Sequence, residues 1–228
     1  MQSISPIIQI AGIIDREDAA TVLHAGATHL GFPLRLDVHA EDLTETAAAE
    51  IIRSLPDPGA AVLITYLKEA HEIIGLAGFL GCSTVQLHGD IDLGEILTLK
   101  KLNPQLKVWK SLVVKSGNSI ELEKTLVAFE PFVDAFITDT FDPATGATGA
   151  TGKTHDPGIS RRLAALSKKP VILAGGLTPE NVYKAITTVK PAGVDAHTHL
   201  EDSSGRKDPV KCRKFVAEAR RGFIFPGK

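Results

Sequence analysis

Three segments of this chain carry side chains able to move a proton at the end of a short apolar run: Gln86-Leu87-His88-Gly89-Asp90, Ile137-Thr138-Asp139-Thr140 and Gly193-Val194-Asp195. A carboxyl shielded from water has a raised pKa and holds its proton near neutrality, which makes Asp139 a candidate general acid. His88 and Asp195 are candidates to act beside it, since imidazole and carboxylate can accept, donate or orient a proton. The plainer roles are a helix cap or solvated loop acid for Asp139 and hydrogen-bonded structure for His88.

A second chemistry is anion binding. Gly175 and Gly176 follow the run Val171 to Ala174 and precede Thr178-Pro179-Glu180, a helix start, so their amides and the helix dipole can converge on a phosphate. Glycine allows the close approach; the plainer role is a tight strand-to-helix turn. His197-Thr198-His199 follows the last apolar run. Its two histidines alternate, so in an extended segment both imidazoles point one way, and with His39 or Asp37 they form a metal-ligand alternative. Ala-Thr-Gly occurs three times in succession over residues 144–152, a glycine-rich loop. Gly152-Lys153-Thr154 superficially matches a nucleotide phosphate loop, but the first glycine of that motif falls on Ala147, so the match is rejected.

These residues must be positioned by regular elements, and the sequence supplies them in alternation. Apolar runs of strand length occur at Ile7 to Ala11, His29 to Phe32, Ala61 to Tyr66, Thr84 to Leu87, Val108 to Leu112, Ala135 to Thr138, Val171 to Ala174 and Gly193 to Ala196. Stretches with helical spacing lie between them at Arg16 to His24, Thr44 to Leu55, Lys68 to Leu80, Asp92 to Leu102, Ile120 to Phe129, Ser160 to Ser167, Pro179 to Val189 and Pro209 to Arg220. Strand and helix alternating in this way imply a parallel sheet, and eight such units close into a (β/α)8 TIM barrel, one α/β domain spanning residues 1–228. A doubly wound open sheet is the architectural alternative.

Composition narrows the function classes. Lys and Arg total 25 against 27 Asp and Glu, a net charge of −2, and the basic residues form no long run, so nucleic acid is not an expected partner. The two cysteines, Cys82 and Cys212, make no Cys-x-x-Cys pattern and suggest neither a disulfide framework nor a cysteine zinc site, in keeping with a reducing compartment. No stretch approaches the ~18 to 20 apolar residues of a membrane span, and the N-terminus does not read as a secretion signal. A cytoplasmic protein acting on a small anionic ligand is the expectation, with no membrane partner.

In a barrel of this kind chemistry gathers at the C-terminal ends of the strands. Taken in order, Gln86-Leu87-His88-Gly89-Asp90, Asp139-Thr140 with Gly149-Ala150-Thr151-Gly152-Lys153-Thr154-His155-Asp156, Leu173-Ala174-Gly175-Gly176-Leu177-Thr178-Pro179-Glu180-Asn181-Val182, and Gly193-Val194-Asp195 with Gly205-Arg206-Lys207-Asp208-Pro209 resemble phosphoribosylanthranilate isomerase over essentially the whole chain. That family of tryptophan biosynthesis converts an N-linked phosphoribosyl amine to its 1-deoxyribulose isomer. The resemblance implies a phosphorylated sugar-like substrate, no cofactor, and a monomer or homodimer. It implies Asp139 as the acid that opens the ribose ring, His88 and Asp195 as catalytic partners, and phosphate or substrate contacts from Gly152, Gly175 and Gly176. The family also holds the phosphate on a Ser-Ser-Gly turn after the eighth strand, and His197, Thr198 and His199 take that place here, their backbone donors replacing it.

Two departures stand out. The family carries Lys-Ile-Cys-Gly on its first strand, the cysteine taking the sugar C2 proton, whereas this chain has Gln9-Ile10-Ala11-Gly12; alanine accepts no proton. After the second strand the family places an arginine against the anthranilate carboxylate, and here Arg35 is the nearest basic residue, at a different spacing. His88, His39 and Asp195 are the candidate replacement bases. Three readings follow: a ketol isomerase with an altered general base, acting on phosphoribosylanthranilate or another phosphoribosyl compound; a diverged enzyme assisted by a metal at His39, His197 and His199; or a non-catalytic binder of a phosphorylated metabolite.

Overall fold

The computed structural model describes residues 6–37, 41–140 and 155–224. Its strands are β1 (Ile7–Ala11), β2 (His29–Pro33), β3 (Ala61–Thr65), β4 (Thr84–Leu87), β5 (Lys107–Val114), β6 (Ala135–Thr140), β7 (Val171–Leu173) and β8 (Gly193–Ala196). Each is hydrogen-bonded in parallel to the next, and β8 returns to β1, closing a barrel. The helices α1 (Arg16–Ala25), α2 (Glu45–Ser54), α3 (Ala70–Leu80), α4 (Leu93–Leu102), α5 (Ser119–Phe129), α6 (Pro157–Leu166), α7 (Val182–Val189) and α8 (Pro209–Ile224) each follow one strand. The expected (β/α)8 architecture is therefore the observed one.

Local chemistry sets the helix ends. The Asp15 carboxylate accepts the Asp18 amide at 2.9 Å at the start of α1, and Gly26 ends that helix in the left-handed conformation with φ 89°. Thr44 caps α2, and Asp156 caps α6 ahead of Pro157, which needs no amide partner in the first turn. The strands are buried on both sides because helices cover the outside and side chains fill the inside.

Side-chain alternation divides the strands between two apolar layers. Ile8, Ile10, Val194 and Ala196 face outward into the large core beneath the helices, while Ala11, Ile64, Trp109, Ile137 and Ala174 fill the barrel interior. Each fully buried Leu or Ile in the outer layer contributes about 1.5 to 3 kcal/mol, so the barrel rim rests on a rigid base.

Two boundaries differ from the sequence expectation in ways that matter. β6 continues through Asp139 to Thr140, pairing Val113 with Asp139 and Val114 with Thr140, so the acid belongs to the sheet and not to a loop. α7 begins at Val182 rather than Pro179, because Thr178 Oγ1 accepts the amides of Glu180 and Asn181 while Asn181 Nδ2 donates to the Gly176 carbonyl at 2.9 Å. Among the described residues no helix is long and apolar enough to cross a membrane.

Candidate active site

A cavity of about 410 Å³ opens at the C-terminal mouth of the barrel, lined among others by Ala11, Gln86, His88, Asp139, Asp195 and His197. These six come from β1, β4 and the residue after it, β6, β8 and the turn after β8, so barrel closure alone gathers them. The three catalytic candidates His88, Asp139 and Asp195 thus share one wall, and each is buried.

They are joined by a hydrogen-bond chain with a consistent polarity. Gln9 Nε2 donates to Asp195 Oδ1 at 3.0 Å and to Gln86 Oε1 at 2.9 Å. That second bond fixes the Gln86 amide so that its Nε2 faces His88 Nδ1 at 3.4 Å, where Ser111 Oγ also lies 2.9 Å away. With donors at Nδ1, the His88 proton resides on Nε2, 3.3 Å from Asp139 Oδ2. The other Asp139 oxygen accepts the Thr140 amide at 2.7 Å. Tyr66 packs edge-on against the His88 ring, with centroids 5.1 Å apart, and restricts its rotation.

Burial pushes the Asp139 carboxyl up to about 8, with the Thr140 amide opposing and the nearby Asp195 charge reinforcing the shift. Asp195 is raised by burial to about 6, with the Gln9 hydrogen bond and the His197 and Lys207 charges working against it. Two carboxyls in one dry wall cannot both ionise readily, so at neutral pH Asp139 keeps its proton while Asp195 is largely anionic. A protonated acid and an anion beside an open cavity are the parts of an acid–base catalyst.

The anion-binding candidates lie around the same rim. Gly175 and Gly176 take φ of 97° and 60°, the left-handed region that glycine enters without strain. Neither amide has a hydrogen-bond acceptor among the described residues. Close packing also demands glycine at 175, where a Cβ would fall 2.2 Å from Thr140 Oγ1. That hydroxyl is fixed by His155 Nδ1 at 2.8 Å, and His155 Nε2 lies 2.6 Å from Ser160 Oγ. Burial lowers His155 to about 4, so the ring is neutral. Gly175 lines a separate cavity of about 280 Å³ with His155, Ala174 and Lys184, rather than the larger one.

Several sequence candidates are not brought to the cavity. Arg35 is exposed and its Nε pairs with Glu45 Oε1 at 2.8 Å, because the chain turns at Arg35 with φ 53° and aims the side chain at α2. The segment after β8 is not extended: Thr198–Leu200 forms a 3-10 turn, which sends His197 into the cavity and leaves Thr198 and His199 exposed. The premise that both imidazoles face one way for a metal is corrected by that turn. No group of three metal-ligating side chains occurs among the described residues. His39 and Gly152 lie outside the described residues, as does the Ala-Thr-Gly repeat. Cys82 and Cys212 are buried away from the cavity, and burial pushes their thiols up to about 12 and about 11.

Sequence reasoning missed Gln9, Ser111 and Glu201. Gln9 had a signal: an amide in the middle of the apolar run Ile7–Ala11, wholly buried here, needs polar partners inside the barrel.

Fold and site together define a (β/α)8-barrel enzyme with a proton-transfer wall at its C-terminal mouth. Residues 8–218 match the family described as N-(5'phosphoribosyl)anthranilate (PRA) isomerase. The chain is 41% identical over 218 residues to N-(5'-phosphoribosyl)anthranilate isomerase 2 of Methanosarcina mazei, covering 95% of both chains. It is 34% identical over 213 residues to the N-(5'-phosphoribosyl)anthranilate isomerase of Methanothrix thermoacetophila, covering 93% of this chain and 97% of that one. Among solved structures, the enzyme from Thermotoga maritima superposes with a TM-score of 0.80 at 26% identity, covering 95% of this chain and 100% of that one. A phosphoribosyl anthranilate isomerase solved in complex with reduced 1-(o-carboxyphenylamino)-1-deoxyribulose 5-phosphate superposes with a TM-score of 0.78 at 25% identity, with the same coverage. The chain belongs to the N-(5'-phosphoribosyl)anthranilate isomerase family.

Proposed function

We infer that this chain is the ketol isomerase its family membership indicates, converting N-(5'-phosphoribosyl)anthranilate to 1-(o-carboxyphenylamino)-1-deoxyribulose 5-phosphate within tryptophan biosynthesis. The observation that carries the assignment of roles is the Asp139 carboxyl, buried, held up to about 8 and facing the cavity beside the Nε2–H of His88. Asp139 gives its proton to the ribose ring oxygen as the C1–O bond breaks and the anthranilate nitrogen forms an iminium with C1. His88 donates to the resulting carboxylate and stabilises it. Asp195, tied to Gln9, orients the sugar hydroxyls. The amides of Gly175, Gly176 and Thr198 hold the phosphate, and Arg35 does not reach the anthranilate carboxylate from its pairing with Glu45.

The reaction needs no cofactor, since it only moves protons between carbon and oxygen. One domain over residues 1–228, working in the cytoplasm as a monomer or homodimer, suffices for it. The test is turnover: purified protein is incubated with N-(5'-phosphoribosyl)anthranilate and the deoxyribulose product is quantified. Product at a rate abolished by Asp139→Asn is expected. Ala11 is the one observation favouring a non-catalytic binder of the same ligand, which predicts thermal stabilisation by phosphoribosyl compounds with no product formed.

A further inference from the structure

Isomerisation requires a base for the C2 proton, and β1 ends in Ala11, whose methyl group cannot serve. Of the candidates proposed from sequence, His39 lies outside the described residues, and His88 and Asp195 are poorly placed. Both ring nitrogens of His88 are engaged, Nδ1 by Ser111 and Gln86 and Nε2 by Asp139. Asp195 pairs in register with Gln9, two residues below Ala11 on the neighbouring strand, and its Oδ1 is held by the Gln9 amide.

The register of β1 against β8 identifies another group. Ile10 is opposite Ala196, and both point outward into the layer beneath the helices. One step further along, Ala11 and His197 both line the cavity, side by side on adjacent chains. The imidazole rests on the bare backbone of Gly12: a Cβ there would fall 2.0 Å from His197 Nε2 and 2.4 Å from Cδ2. A ring so seated covers the residue that follows Ala11 and lines the same cavity as the alanine.

It is also held. His197 Nε2 lies 3.3 Å from Glu201 Oε1, a contact made possible by the 3-10 turn between them. The same oxygen accepts from Lys207 Nζ at 2.7 Å, and the Lys207 side chain is fully buried. Burial pushes Glu201 up, but the hydrogen bonds from His197 and Lys207 outweigh it and hold the carboxyl below its ordinary value. An anionic Glu201 draws the imidazole proton to Nε2 and leaves the Nδ1 lone pair to accept another, the division of labour seen wherever a carboxylate orients a basic histidine.

We propose that His197, seated on Gly12 and oriented by Glu201, is the catalytic base that removes the C2 proton in place of a first-strand thiol. The inference rests on the isomerase reading above and deepens it. In the step, the C2–H bond breaks and its proton moves to His197 Nδ1. The electron pair becomes the C1=C2 bond, while the π pair of the C1=N iminium returns to nitrogen and neutralises it. Proton return to C1, with loss of the C2 hydroxyl proton, gives the ketone, so no oxidant or co-reactant enters.

The experiment measures kcat and KM for N-(5'-phosphoribosyl)anthranilate with wild type, His197→Ser, His197→Gln and the double variant Ala11→Cys with His197→Ser. Loss of a general base costs ~10² to 10⁴ in rate, so both single variants are expected to lose kcat by that factor with KM changed by only a few-fold. His197→Gln keeps the bulk over Gly12, so an equal loss there separates proton transfer from packing. Added imidazole is expected to restore part of the His197→Ser rate, and the double variant to recover at least ten-fold over it. Wild-type turnover combined with a His197→Ser kcat within three-fold of wild type overturns the inference and leaves the isomerase reading intact. A loss that neither imidazole nor the new thiol relieves also overturns it. No turnover by wild type removes both.

Discussion

Asp139→Asn should make the protein more stable while removing its activity, and the gain should grow with pH. The folded protein holds a proton on Asp139 up to about pH 8, whereas an unfolded chain releases it near 3.8. The group's folded pKa is raised, so its contribution to stability is fully present below 3.8 and is lost as pH rises toward 8. Between those values the native state binds one proton more than the unfolded state, and stability falls by about 1.4 kcal/mol per pH unit from this group alone. Asparagine carries no such proton and escapes the loss. Other groups titrate in both proteins, Asp195 with its value of about 6 among them, so the difference between variant and wild type isolates Asp139.

That difference should widen by roughly 3 to 4 kcal/mol between pH 5 and pH 8. For a chain of this length it corresponds to a relative rise in Tm of about 10 °C. Denaturant unfolding of both proteins at each pH measures it, provided the slope against denaturant is the same in both. Turnover should fall by ~10² to 10⁴ in the variant, and the wild-type kcat/KM should decline as pH rises through about 8, where the free acid loses its proton. A stability difference flat with pH, or a wild-type rate that climbs through pH 8, would refute the claim that this carboxyl is held protonated in the cavity wall.

Two further outcomes follow from the packing. Gly175→Ala forces a side chain into φ 97° and drives its Cβ to 2.2 Å from Thr140 Oγ1, so a destabilisation of about 1 to 3 kcal/mol is expected in urea unfolding, together with weaker inhibition by phosphate esters. Cys82 and Cys212, buried with thiols at about 12 and about 11, should resist iodoacetamide at pH 8 in the native protein and react only after unfolding, with activity unaffected in the meantime; rapid native alkylation with loss of turnover would return a cysteine to the list of possible bases.

The architecture was legible because parallel strands covered on both faces read as uninterrupted apolar runs. Three of them, β1, β4 and β8, have the bounds expected from sequence. Other bounds moved by a residue or two: the expected sixth strand stopped at Thr138 with Asp139 at its end, whereas Asp139 and Thr140 both pair with β5, because the cavity wall is itself built from polar strand residues. Asp139, His88 and Asp195 could be placed at the mouth because each ends an apolar run, and that is a one-dimensional signal. The relay from Asp195 through Gln9 and Gln86 to His88 could not, since it depends on which residues of β1, β4 and β8 share a level around the barrel. That level follows from closure and shear, which no local window contains. The same limit applied to His197 and His199, whose alternation suggested a common direction until the 3-10 turn separated them.

Two departures from the family pattern, at positions 11 and 197, become one if the β1–β8 register is considered. Alanine at position 11 leaves a gap where the resemblance puts a thiol, and histidine at position 197 replaces the first serine of a phosphate-binding turn. Taken separately, the first should disable proton transfer and the second should crowd the phosphate. In the barrel they are neighbours on one cavity, the imidazole resting on Gly12, the residue directly after Ala11. Among the described residues only Arg35 and Lys190 have positive φ outside glycine, so the 197–199 turn asks for no glycine of its own, and the Thr198 amide has no acceptor among those residues. Glu201 and Lys207 complete the arrangement from the chain segment that follows, fixing the charge that a basic histidine needs. With the imidazole supplying the base, a thiol at position 11 has no step left to serve, and restoring the cysteine without removing the histidine should bring no gain in kcat.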